Sequence, residues 1–242
     1  MTQKLSQCPC CSVKMNILRC FMLWFGVMLG TVASKELKIC DSTERLYHVV
    51  ITDSQGTIMC AGSLISDSWI LTEAYCYLWG MKIILGGHPG PGRTIIINNP
   101  PVIRKNNAGM SDLMLLKLPS PTKIEPVKLP TCPLPADADF VKIAGYGLKT
   151  TELGKTDSRE SHKLQCVKLK LDDCKKVERK HYFFFHDTQK RMDIPLTDVG
   201  GAVIHNDMIY GVMSYENEPH LYPQLPYLEV CPILNWINAV TA

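Results

Sequence analysis

The sequence has little excess charge of either sign, no repeat and no low-complexity tract. Its 26 lysine and arginine residues against 23 aspartate and glutamate residues leave a net charge of +3. That balance gives no reason to expect nucleic-acid binding across the whole molecule. No N-x-S/T glycosylation sequon is present. Because hydrophobic residues make up 46% of the 242 residues, the composition excludes disorder, collagen and coiled coil and favours a globular protein.

An apolar run near the amino terminus is too short to favour a membrane span. It covers residues 20–33, whereas a helix needs roughly 20 residues to cross a bilayer. Lys14 and Arg19 precede the run and small residues end it, as in a secretory signal peptide. We expect residues 1–33 to be a signal peptide, with Met15 as an alternative start, and residues 34–242 to be the secreted domain. Membrane attachment is expected only if this segment stays uncleaved.

Cysteine is abundant, since the chain contains eleven. This number favours an oxidising compartment over the reduced cytosol. Seven of the cysteines follow residue 33, namely Cys40, Cys60, Cys76, Cys132, Cys166, Cys174 and Cys231. Because seven is odd, at least one thiol stays unpaired or pairs outside the chain.

Helical periodicity is scarce beyond residue 33. Only residues 234–240, which follow Pro232, and residues 172–179 have a pattern typical of a helix. Short apolar or alternating runs between glycine and proline turns predict strands. The predicted strands are 46–52, 63–71, 82–85, 94–98, 113–118, 140–144, 163–170, 202–205 and 208–214. Many short strands with few helices favour an all-β sandwich or a pair of barrels.

Seven sequence blocks, in the same order, resemble the trypsin-like serine proteases. Residues 60–76 contain C-A-G-S-L-I, W-I-L-T and a final cysteine, similar to the family's C-G-G-S-L-I and W-V-L-T-A-A-H-C. Residues 111–118 are similar to N-D-I-M-L-I-K-L, and residues 197–203 (T-D-V-G-G-A-V) to G-D-S-G-G-P-V. The resemblance implies an all-β fold with two antiparallel six-stranded β-barrels and a C-terminal helix.

The catalytic residues of the family are altered. Acyl transfer needs a nucleophilic serine, a histidine base, an orienting carboxylate and backbone donors for the oxyanion. The resemblance places Tyr75 at the histidine position, Asp112 at the carboxylate position and Val199 at the nucleophile position. Tyrosine titrates near pH 10 and valine has no heteroatom. We therefore predict that the protein is not an enzyme by the serine mechanism.

The parts that support catalysis are altered as well. Thr197 replaces the glycine beside the oxyanion hole. In the substrate pocket, Asp193 matches the acidic base of trypsins and Ser214 and Tyr215 match the wall, whereas Glu216 replaces a glycine. Some pocket positions therefore match a trypsin-like substrate pocket and others do not.

The activation switch of the family is also incomplete in the sequence. Asp198 matches the aspartate that pairs with a buried isoleucine terminus, but Ser34 stands at that terminus. We therefore expect the Asp198 carboxylate to be solvated or paired with a nearby lysine or arginine, and we favour solvation, because a buried unpaired carboxylate is costly. The resemblance implies three disulfides, Cys40 with Cys166, Cys60 with Cys76 and Cys132 with Cys231. It leaves Cys174 as the odd thiol, either buried and free or linked to another chain.

These features predict a secreted, non-catalytic pseudoprotease that acts by binding a protein partner. Four aromatic residues at 182–185 favour a partner surface, and the basic residues at 175–181 fit either a solvated face or an acidic ligand. No cofactor or metal is expected, because residues 86–99 offer no carboxylate for the family's calcium loop. Two alternatives remain: a hydrolase using His48, His88, His205 or Ser214, and a decoy that occupies protease inhibitors or substrates.

Overall fold

The computed structural model of the chain describes the residues 37–106, 109, 111–147, 149–151, 161–170, 191–193, 195–214 and 227–242. These residues belong to one compact unit, Lys35–Ala242. Several predictions made above fall outside the described residues, namely the signal peptide, the helix at 172–179, Ser34, Cys174, Tyr215, Glu216 and the segments 175–181 and 182–185.

A seven-stranded antiparallel sheet forms the first half of the unit. Its strands, in chain order, are β2 (His48–Thr52), β3 (Ile58–Leu64), β4 (Trp69–Glu73), β5 (Lys82–Leu85), β6 (Arg93–Ile96), β7 (Val102–Lys105) and β8 (Ser111–Lys117). They lie in the order β6-β5-β2-β3-β4-β8-β7. Among the described residues this sheet has seven strands, one more than the six that the family resemblance implies. The chain between β5 and β8 forms two separate strands, β6 and β7.

A six-stranded antiparallel sheet forms the second half. Its strands are β1 (Lys38–Ile39), β9 (Phe140–Gly145), β11 (Gln165–Lys170), β13 (Ala202–His205), β14 (Met208–Met213) and β15 (Tyr227–Glu229). They lie in the order β1-β11-β9-β13-β14-β15. Strands β10 (Lys149–Thr151) and β12 (Arg191–Asp193) form a separate pair. A C-terminal helix, α1 (Leu234–Thr241), ends the chain. The predicted fold class is confirmed.

The structure divides one predicted strand in two and contains the predicted C-terminal helix. The run 63–71 was expected to be one strand, but a turn at 66–68 divides it into the end of β3 and the start of β4. The Ser66 hydroxyl accepts hydrogen bonds from the N–H groups of Ser68 and Trp69, at 3.3 and 3.1 Å, and so stabilises the turn. The helix predicted at 234–240 is present as α1.

Each sheet buries its own apolar core. Ile51, Leu64, Ile70 and Ile83 are fully buried in the first sheet, and the inward residues of β9, β11, β13 and β14 form the core of the second. A third cluster packs the two halves of the unit together and includes Ile237 of α1. Burial of this apolar surface is the main stabilising term of the fold.

Three disulfides join segments that are distant in the sequence. They are Cys40–Cys166, Cys60–Cys76 and Cys132–Cys231, the same pairs that the family resemblance implies. In the described part of the chain, no helix is long and apolar enough to cross a membrane. No group of three or more histidine, cysteine or acidic side chains is arranged there to hold a metal ion.

Candidate active site

Val199 lies at the centre of the candidate site and is buried. It is 1% exposed and packs with the core of the first sheet. Its carbonyl oxygen accepts a hydrogen bond of 2.7 Å from the Ala61 N–H and lies 3.7 Å from Cys76 Sγ. The two segments that contact the Val199 carbonyl group are therefore linked to each other by the Cys60–Cys76 disulfide. The side chain offers no atom that can act as nucleophile, base or ligand.

The backbone beside Val199 is wound into a tight turn. Residues Leu196–Asp198 form a 3-10 helix, and the Val199 N–H donates a hydrogen bond of 3.2 Å to the Leu196 carbonyl. In the sequence motif, this N–H is one of the donors expected to face an oxyanion. Thr197, which replaces the motif's glycine, has its Oγ1 atom buried without a hydrogen-bond partner among the described residues. The turn therefore uses a donor that oxyanion binding would need.

Among the contacts between described residues, Tyr75 and Asp112 share no hydrogen bond. Tyr75 lies in a one-turn 3-10 helix, Ala74–Cys76, and its side chain is 58% exposed. The Asp112 carboxylate forms an ion pair with Arg104 and accepts a 2.7 Å hydrogen bond from the Leu113 N–H. Arg104 reaches it from β7, the strand paired with β8. The carboxylate is thus oriented by a cation rather than orienting a histidine.

A second carboxylate is buried in the same region. The Glu73 side chain, at the end of β4, accepts a 2.7 Å hydrogen bond from the Ser214 hydroxyl. Both residues are buried. Of the other pocket positions, Asp193 lies at the end of β12 opposite Lys149, and Tyr215 and Glu216 are outside the described residues. The serine is therefore engaged in a structural hydrogen bond with a carboxylate.

Asp198 is buried, and the prediction that it is solvated was wrong. The residue is 1% exposed, and its carboxylate accepts hydrogen bonds from the N–H groups of Tyr146 and Gly147, at 2.8 and 3.0 Å. These two backbone donors compensate part of the loss of hydration that burial of the carboxylate causes. Gly145 makes this approach possible, because a Cβ atom at that position would overlap the carboxyl group.

The histidines considered for another hydrolytic mechanism are dispersed. Burial lowers the pKa of His48, with smaller effects of Arg45 and His88, to about 3. His88 is buried, with Nε2 2.9 Å from the Asp41 carbonyl oxygen. His205 Nδ1 lies 2.8 Å from the Phe140 carbonyl oxygen. None of the three contacts Ser214 by a hydrogen bond in the described part of the chain.

Comparison with known proteins gives the family. The Trypsin family model matches residues 38–237. The chain belongs to the trypsin family. Trypsin-1 of Gadus morhua is 28% identical over 243 residues, which cover 91% of this chain and 98% of that protein. Snake venom serine protease homolog 2 of Macrovipera lebetinus is 28% identical, over 84% of this chain and 85% of that protein. Among solved structures, neuropsin, a serine protease of mouse brain, superposes with a TM-score of 0.68 at 21% identity, covering 86% of this chain and 99% of that chain.

Two residues of the candidate site were not predicted from the family motifs. Glu73 and Arg104 were not singled out from the sequence, although each changes the surroundings of a predicted site residue. Glu73 could have been found as an acidic residue two positions after the apolar run 69–71. Arg104 had no such signal, because its contact with Asp112 depends on the register between β7 and β8.

Several large apolar side chains close in sequence to Cys60, Cys76 or Val199 are exposed. Trp79 is 91% exposed, and four other large apolar residues nearby are also exposed. We call this set the apolar rim; it consists of Met59, Tyr75, Tyr77, Trp79 and Leu196. Each member lies within three residues of Cys60, Cys76 or Val199, which are held together by the disulfide and contacts described above. Large exposed apolar groups that lie close together are typical of protein interaction surfaces.

Proposed function

We propose that this chain is a secreted, non-catalytic trypsin homologue that acts by binding another protein. The observation that carries the proposal is Val199 itself, a buried side chain without a heteroatom at the position of the family's nucleophile, with the exposed apolar rim close to it in the sequence. Tyr75 stands at the position of the histidine base, and the Val199 N–H donates to the Leu196 carbonyl. Loss of one triad member already lowers the rate of such enzymes by roughly four to six orders of magnitude.

The apolar rim supports a protein as the ligand. Tyrosine and tryptophan are enriched among the residues that dominate protein interfaces, because they bury a large area with few rotatable bonds. The rim has Tyr75, Tyr77 and Trp79 within five consecutive positions, in a segment without a charged residue from Ala74 to Gly80. The similar snake venom protein is itself named a serine protease homolog.

Secretion is supported by the disulfides and by the apolar run at residues 20–33. Disulfides persist in oxidising compartments and are rare in the cytosol. All six bridged cysteines follow residue 33, as expected if the leader is removed in the secretory pathway.

Catalysis is tested with a fluorophosphonate probe, which reacts with activated serines. We expect no covalent labelling and no cleavage of peptide substrates by the purified protein, with an active trypsin as the positive control. Stoichiometric labelling together with peptidase activity would refute the proposal.

Partner binding is tested with two matched variants. Tyr75→Ser with Trp79→Ser removes the two most exposed aromatic groups of the rim, whereas Ile39→Ser with Ile96→Ser removes exposed apolar groups elsewhere. In affinity capture from the secreting tissue, a true partner is lost with the rim variant and retained with the control variant. If both variants retain every captured protein, the rim is not the binding surface.

A further inference from the structure

Two lysines lie directly opposite each other on neighbouring strands of the second sheet. Lys142 of β9 is in register with Lys168 of β11, and both side chains are exposed. Opposed residues of an antiparallel pair point to the same face, with Cβ atoms about 4.5–5.5 Å apart. Like charges in this arrangement destabilise the sheet. Folding stability therefore does not account for the presence of both lysines.

No carboxylate neutralises this pair. Among the described residues, neither Lys142 nor Lys168 forms an ion pair, whereas Lys38 of the same sheet pairs with two carboxylates. Asp137 and Asp139 precede β9 but are not ion-paired with either lysine. Two adjacent positive charges are thus available to a ligand.

An aromatic side chain orients one of the two charges. Lys168 Nζ lies 4.1 Å from the centroid of the Phe140 ring, which orients the ammonium group over the aromatic face. His205 Nδ1 contacts the Phe140 carbonyl oxygen at 2.8 Å, so this residue is held from β13 as well. The backbone of β11 continues to Lys170, opposite Phe140. We call Phe140, Lys142, Lys168 and His205 the basic strip.

We propose that the basic strip binds a linear sulfated polysaccharide. Ammonium groups at fixed spacing on a sheet recognise a row of anionic groups by charge, without a shaped pocket. The choice of ligand rests on the proposed secretion, which the three disulfides favour, since the polyanions outside the cell are mainly sulfated glycans rather than nucleic acids. A protein ligand would require an apolar contact area at the centre of the interface. Lys168 covers the Phe140 ring, so the basic strip does not offer such an area. This surface is separate from the apolar rim, so the inference goes beyond the proposed function.

The test measures binding of the purified full-length protein to heparin as a function of NaCl concentration. The variant Lys142→Gln with Lys168→Gln removes two charges of the strip, and Lys105→Gln with Lys123→Gln removes two exposed charges elsewhere. We expect the strip variant to bind about tenfold more weakly at physiological salt, and its slope of log K against log salt to be reduced by between one and two, as for other linear polyanions. The control variant should bind like the unmodified protein.

Folding is checked by circular dichroism and thermal unfolding, where the strip variant should be close in stability to the unmodified protein, because removal of the like-charge pair offsets loss of the contact between Lys168 and the Phe140 ring. Equal weakening in both variants would show that only net charge matters and would overturn the proposal. Unchanged binding in the strip variant would overturn it too. Equal binding of desulfated heparin, or tighter binding of duplex DNA or phosphatidylserine vesicles, would assign the strip to another ligand.

Discussion

At the scale of single residues, the candidate site has lost more than its reacting groups. Arg104 forms an ion pair with Asp112, the carboxylate expected to orient a histidine. The Val199 N–H donates a hydrogen bond to the Leu196 carbonyl oxygen. Both features concern positioning, which acyl transfer needs in addition to the nucleophile and the base. A substitution that restores only the chemistry therefore leaves the positioning defects in place.

The first prediction follows from this arrangement. The double variant Tyr75→His with Val199→Ser should fold but show no peptidase activity and no fluorophosphonate labelling. The new serine would lie in a turn whose N–H is engaged, and the new histidine would face a carboxylate already paired with Arg104. Hydrolysis of chromogenic peptides is the measurement.

Adding Arg104→Gln to the double variant separates the two defects. Activity in the triple variant alone would show that the ion pair is the main obstacle. Activity in the double variant after Lys or Arg residues would contradict the prediction and would favour the decoy hypothesis, because it would mean that the pocket around Asp193 is intact.

His48 gives a prediction on pH dependence. Its pKa is about 3 in the folded protein against an ordinary value of 6.5, because the imidazole is buried. The unfolded chain therefore binds a proton between these values that the folded chain does not. Stability is fully present above pH 6.5 and decreases as the pH falls, by about 1.4 kcal/mol per pH unit down to pH 3.

The measurement compares urea unfolding of the protein and of His48→Gln at pH 7 and at pH 4.5. The unmodified protein should lose about 3 kcal/mol more than the variant between these two values, since only it has a histidine at this position. An equal loss in both proteins would show that His48 is accessible to protons in the folded state.

At the scale of secondary-structure elements, the sequence predicted those strands and helices whose bounds depend on local sequence patterns. The strands at 82–85 and 202–205 and the helix at 234–240 match the structure within a residue, because alternation and capping by proline are local signals. The break at 66–68 was missed because a serine hydroxyl, not a glycine or proline, stabilises the turn. The buried state of Asp198 could not be predicted, because its partners are backbone N–H groups some fifty positions away.

The end of β9, at Gly145, provides the prediction at this scale. Gly145→Ala should destabilise the protein by about 3 kcal/mol, because the added methyl group overlaps the Asp198 carboxyl group and displaces it from two backbone donors. Gly90→Ala is the control, since its methyl group would lie 3.8 Å from the nearest atom. Urea unfolding measures both. A loss below 1 kcal/mol for Gly145→Ala would mean that the turn can shift at little cost.

At the scale of the whole molecule, the disulfides reinforce contacts between segments that lie far apart in the sequence. Cys40–Cys166 spans 126 positions and ties the segment before β2 to β11 of the second sheet, whereas Cys60–Cys76 spans 16 positions next to Val199. The family motifs were sufficient to predict these pairs, since the cysteines keep their places in the blocks. The same motifs could not predict the contact between β7 and β8 that neutralises Asp112.

Bridge length gives the last prediction, because all four of these cysteines are buried to a similar degree. In the chain-entropy account, a bridge stabilises the protein by restricting the unfolded chain, by about 5 kcal/mol for the 126-residue separation and about 3 kcal/mol for the 16-residue separation. Cys40→Ala with Cys166→Ala should therefore lower the free energy of unfolding by about 2 kcal/mol more than Cys60→Ala with Cys76→Ala, as measured in urea. A larger loss for the short bridge would instead show that local packing around Val199, which that bridge holds, stabilises the molecule more than restriction of its unfolded chain.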